Sequence, residues 1–220
     1  RAPPPRPSPA EQPAPMLAAA GAGVDGAGRG VALLRYAPYS TDLLSRDATD
    51  HDEMVAMGAT AGVDERGRAF LDGLDVIRVR RLATTRVSVG GERQRSWLVH
   101  LGARRVVEDG RPRTEAFLTG GLGQAARLGA GAVAYALVEA DLATGPDVLT
   151  LTPTVGLVAG AGAWKGWLRG GVACSAGRRT LGGRAGLDLR YALSQHRALR
   201  LGAELRGEVV EGRLAFHQAW

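Results

Sequence analysis

Period-2 alternation of apolar and polar residues dominates the chain, and it is clearest near its C-terminal end. Over 181–193, Leu181, Ala185, Leu187, Leu189, Tyr191 and Leu193 share one parity, while Arg184, Asp188, Arg190 and Ala192 share the other. Successive strand residues point to opposite faces, so this segment is a strand with one apolar side; helical spacing would mix the two sets. After a turn at Ser194-Gln195-His196 the pattern returns. Leu199, Leu201, Ala203, Leu205 and Val209 then oppose Arg200, Glu204, Arg206 and Glu208, completing a long hairpin. Upstream, Leu149, Leu151, Val155 and Leu157 alternate with Thr150, Thr152, Thr154 and Gly156. Trp164, Leu168 and Val172 likewise alternate with Lys165, Arg169 and Gly171.

Carried along the chain, the same alternation predicts strands near 16–25, 29–37, 52–62, 67–80, 94–107 and 113–122, then near 128–142, 146–159, 163–175, 180–192, 196–208 and 212–220. Turn signals such as Glu108-Asp109-Gly110 and Thr144-Gly145-Pro146-Asp147 separate them. The two longest gaps are 38–51 and 81–93. An even count places both chain ends on one side, as in bacterial membrane barrels. The expected fold is therefore all-β, an antiparallel up-and-down barrel of about 12 long strands of the outer-membrane type. Residues 1–15, RAPPPRPSPAEQPAP, form a proline-rich linker with no apolar face, and 16–220 form the barrel domain. Because the chain starts with Arg1 rather than Met, it is expected to be a piece of a longer precursor.

Alternation alone does not say which face meets water, since a soluble barrel with an apolar lumen has the same period. Length favours the membrane. Several strands run to a dozen residues, against about five or six in soluble sheets and about 9 to 11 for a tilted membrane crossing. On that reading the apolar parity meets lipid, and Arg184, Asp188, Arg190, Arg200, Glu204, Arg206 and Glu208 face the lumen as cross-strand ion pairs. Trp164, Trp167, Tyr191, Phe216 and Trp220 stand near strand ends, where interfacial aromatics belong.

Charge and candidate chemistry narrow the function further. The net charge of +6 comes almost wholly from arginine, with Lys165 the only lysine, and only 5% of residues are aromatic. The arginines recur strand by strand rather than clustering on one stacking surface, which argues against nucleic acid as a partner. No stretch reaches the 18 or so apolar residues of a spanning helix. The single cysteine, Cys174, lies on the apolar parity and has no partner for a disulfide or a metal site. His51, His100, His196 and His217 are scattered. The acidic run Asp47, Asp50, His51, Asp52 and Glu53 lacks the ordered spacing of a calcium loop. Ser194 and His196 sit in a turn without the setting of an activated nucleophile, and the glycines at 120–123 precede no helix or Lys-Ser/Thr pair. No catalytic residue, metal site or cofactor is expected in this chain.

Three local patterns carry a family resemblance. Arg35-Tyr36-Ala37-Pro38 runs into Asp42-Leu43-Leu44. Leu74-Asp75-Val76-Ile77-Arg78-Val79-Arg80 is followed by a strand opening at Ser96-Trp97, and the later Gly-rich strands end near Leu199-Arg200-Leu201. In these the sequence resembles the C-terminal barrel-like domain of bacterial Lnb-like proteins, a domain of unknown function whose N-terminal periplasmic neighbour is similar to lipoprotein N-acyltransferases. The resemblance implies a non-catalytic barrel in the bacterial outer membrane that anchors or orients an upstream catalytic domain of the same polypeptide, one using cysteine and histidine. Its partners would be outer-membrane lipid and that periplasmic domain. The alternatives are a small outer-membrane channel or ligand carrier, and a soluble ligand-binding barrel in the periplasm.

Overall fold

The computed structural model describes residues 16–41, 43–44, 52–84, 95–108, 111–129, 131–176 and 181–220. The strands are β1 (Leu17–Val24), β2 (Gly30–Ala37), β3 (Tyr39–Thr41), β4 (Asp52–Asp64), β5 (Ala69–Arg81), β6 (Ser96–Glu108), β7 (Arg111–Arg127), β8 (Ala132–Ala143), β9 (Leu149–Ala161), β10 (Trp164–Ser175), β11 (Leu181–Ala192), β12 (Arg197–Arg206) and β13 (Val209–Ala219). Apart from β2 and β3, which do not pair with each other, each strand pairs antiparallel with its neighbours in sequence. Two further pairings close the ring: β1 with β13, starting at Leu17 opposite Ala219, and β2 with β4. The result is a closed antiparallel barrel of 12 strands, with β3 prolonging β2 along the edge of β4.

The expected strands and the observed ones coincide within a few residues, and the departures have local causes. Pro38 has no N–H to give the ladder, so the second strand breaks there and resumes as β3. β8 begins at Ala132 rather than near 128, because Gly129 adopts a φ of 153° in the connection. β7 runs on to Arg127, longer than the pattern suggested.

Met57 is the one described residue other than glycine with a positive φ, at 55°. There the ladder skips from Ala56–Ile77 to Gly58–Asp75, and the buried parity of β4 moves from Glu53 and Val55 to Gly58, Thr60 and Gly62. β5 answers with register shifts of its own, so that Asp75 and Arg80 are both buried although their parities differ. Such irregularities re-aim side chains without breaking the wall.

The apolar parity faces outward. Leu34, Leu122, Val155, Leu168 and Leu214 are all more than half exposed, whereas Glu53, Asp75, Arg80, Glu115 and Asp141 are buried. A soluble barrel with an apolar core would show the reverse, and exposed apolar surface on this scale marks a membrane or protein interface. The outward aromatics Tyr36, Tyr39, Trp164, Tyr191, Phe216 and Trp220 all lie toward the end that holds the chain termini. Trp164 stacks on Tyr191 at 4.7 Å between ring centres.

Candidate functional site

The barrel interior is layered along its axis. At the end away from the termini, the β1–β2 turn folds over the mouth. Asp25 accepts hydrogen bonds from the backbone N–H groups of Ala27 and Arg29 and pairs with the guanidinium of Arg29 (2.8 Å) and, from β6, that of Arg105 (3.2 Å). Burial alone would raise the Asp25 pKa, but the hydrogen bonds from Arg29 and Ala27 hold it below the ordinary aspartate value. Just below, Arg104 pairs with Asp141 at 2.7 Å and Glu115 at 3.6 Å, and the Thr119 hydroxyl donates to Asp141. Arg213 of β13 reaches Asp72 of β5 at 2.8 Å, although β1, β2 and β4 lie between these strands in the ring.

The middle layer has two carboxylate hubs. Asp75 accepts from Arg35 at 2.7 Å and meets His100 Nε2 at 2.7 Å, with Arg78 at 3.9 Å; His100 in turn sets its ring edge-to-face with Phe117. On the facing wall Asp188 lies between Arg169 and Arg200, each at 3.1 Å. Pairs of this kind offset the cost of taking charge out of water to the extent that their remaining hydrogen-bond positions are filled.

Below the hubs the interior turns apolar. The Arg169 and Arg80 guanidiniums lie 4.2 Å and 4.5 Å from the Trp167 ring, while the indole N–H donates to the Tyr135 hydroxyl at 2.8 Å. Arg80 is on β5 and Trp167 on β10, nearly opposite in the ring, so at this level the lumen is filled from wall to wall. Beneath them Leu43, Leu44 and Leu82, which lie beyond the ends of β3 and β5, are fully buried against Val133, Tyr135, Leu137, Val158 and Trp167. Arg190 donates to the Leu44 carbonyl at 3.2 Å. Gly156 makes room for this layer, since a Cβ there would run into the Tyr135 ring.

Over residues 17–218 the sequence matches the family described as domain of unknown function DUF7840. The chain belongs to this family. A comparison with curated proteins gave no match. Among solved structures, this DUF7840 chain is similar to the KdgM porin, with 7% identity and a TM-score of 0.56, covering 93% of this chain and 99% of that one. The KdgM porin in complex with disordered oligogalacturonate matches with 6% identity and a TM-score of 0.54, covering 93% and 99%. The NanC porin matches with 6% identity and a TM-score of 0.50, covering 93% and 98%. At these identities the likeness establishes the fold, a porin-type barrel.

Within the DUF7840 barrel the residues singled out on β11 and β12 come together. Arg169 links Asp188 and Glu204, Arg206 pairs with Glu204 at 3.1 Å, Arg200 joins Asp188, Arg190 holds Leu44, and Arg184 stands directly across the ladder from Arg206. Glu208 does not join them. It sits exposed in the turn with Gly207, whose φ of 62° ends β12, so the apparent alternation past Arg206 is not strand. Trp167 is also corrected: it is an interior residue, not an interfacial one. Glu53 belongs to β4, buried against Arg78 and Arg80, rather than to an acidic loop, and Asp47, Asp50 and His51 lie outside the described residues. Cys174 is exposed on the outer face. Ser194 and His196 meet only through the His196 backbone N–H, 3.3 Å from Ser194 Oγ, so no nucleophile–base pair forms. The Asp75–His100–Arg35 hub and the leucines of the apolar layer have no signature in the sequence, because each gathers residues from strands far apart in the chain.

Proposed function

We propose that this chain is a narrow outer-membrane channel for small anionic solutes, held here in a closed conformation. The observation that carries the reading is the sign of the inner wall. On β11 and β12 the inward parity presents Arg184, Arg190, Arg200 and Arg206 against only Asp188 and Glu204, inside a barrel whose outer face is apolar. A low-dielectric tube lined with surplus cations concentrates anions and repels cations. A porin-type fold and the oligogalacturonate held by one of the similar porins support the same class of solute. Passage requires Leu43, Leu44 and Leu82 to leave their seat against Trp167 and Tyr135. In planar bilayers the wild type should open rarely, and Leu44→Ser should raise the open fraction several-fold, with a reversal potential under a KCl gradient that marks anion preference. Cation preference in the opened variant would refute the reading.

A second reading rests on the filled interior. A barrel closed by Arg80, Trp167 and the buried leucines would also serve as a non-catalytic anchor for an upstream periplasmic domain, as the resemblance to Lnb-like proteins implies. Absence of any conductance from both wild type and Leu44→Ser favours the anchor.

A further inference from the structure

Arg184 differs from the other interior arginines of β10 to β13. Arg169, Arg200, Arg206 and Arg213 each face a carboxylate within 4 Å, and Arg190 donates to the Leu44 carbonyl. Arg184 makes no hydrogen bond or ion pair among the described residues. Its direct partner across the β11–β12 ladder is a second guanidinium, Arg206, whose partner is Glu204. Like charges placed opposite each other on one face of a sheet repel. Arg104, from the far side of the ring, adds to that repulsion, while Asp141 and Glu204 oppose it.

The surroundings leave room for a counter-ion. The preceding inward residue on β11 is Gly182, where an added Cβ would meet nothing within 4 Å, whereas at Gly171, across β10 from Arg184, a Cβ would meet the Pro153 carbonyl oxygen, so the open space lies on the Gly182 side. Beside Gly171 stands Thr152, with its methyl 3.2 Å from the place a Cβ would take. Two facing guanidiniums, one of them without a carboxylate partner, and the open space at Gly182 match an oxyanion, for which arginine forks are the best donors.

We propose that the hollow between Arg184 and Arg206 is a lumenal binding site for a carboxylate or phosphate group on a solute. The site rests on the channel reading only for the route by which its ligand arrives, and binding can be measured without conduction. In the refolded barrel in detergent, inorganic phosphate and galacturonate are titrated separately while thermal unfolding is followed. Saturable stabilisation is expected from at least one of them, and which one responds distinguishes a phosphate from a sugar-acid ligand. Arg184→Gln should weaken it about tenfold or more, as expected for loss of a charged hydrogen-bonding group. Arg184→Lys, which keeps the charge but not the fork, should fall between, and Arg66→Gln, in an exposed turn, should match the wild type. No saturable effect from either anion, or equal affinity in Arg184→Gln, would overturn the site. Binding with no conductance would leave the site standing and remove the channel.

Discussion

Trp167 sits where the charged interior meets the apolar one, flanked by the guanidiniums of Arg80 and Arg169 and tied by its N–H to Tyr135. Truncating a buried aromatic costs about 3–5 kcal/mol. Trp167→Ala should therefore lower the unfolding temperature of the barrel and, by removing the bridge between opposite walls, raise its conductance; both are read on the same refolded sample. At the distal mouth, Asp25 contributes through its ionised form. Because its pKa is lowered in the folded state, that contribution is complete above the ordinary aspartate value near 3.8 and is lost as pH falls through the lower, folded value. Asp25→Asn should unfold at a lower temperature than wild type at pH 7, and the gap should close in acid. The inward arginines of β11 and β12 were visible as one parity of a clean alternation. Trp167 shares the parity of Lys165, Arg169 and Gly171, so the alternation already pointed it inward, and its closeness to a strand end was the weaker guide.

Among the elements, the strand pattern was legible wherever apolar residues alternate with threonines or charged residues, as on β9, β11 and β12. It was least legible on β4 and β5, where the irregularity at Met57 and the shifts in β5 move the buried parity by one residue; no local signal announces this change. The break at Pro38 is explained by proline chemistry, yet its consequence, the short β3, depends on β4 being there to pair with it. The apolar layer was invisible, since its leucines come from the edges of gaps and its seat from β8, β9 and β10. That seat is tight. Gly156→Ala would push a methyl into the Tyr135 ring, so it should displace the ring, break its contact with Trp167 and lower the unfolding temperature, whereas Ala136→Gly, on the outward parity of β8, should have a far smaller effect.

For the molecule as a whole, closure and strand number followed from counting, and the even count placed β1 beside β13. Which face points outward did not follow from periodicity; the exposed leucines and valines and the buried ion pairs decide it. Lipid contact is tested most directly by tryptophan quenching in bilayers with brominated acyl chains, using variants that retain Trp164 alone or Trp167 alone with the other tryptophans changed to Phe. An outward Trp164, 57% exposed, should be strongly quenched, and an inward Trp167, 7% exposed, should be nearly untouched. Quenching of Trp167 as strong as that of Trp164, or quenching of neither in vesicles that hold the folded barrel, would contradict a barrel with its apolar face in lipid and its charges inside.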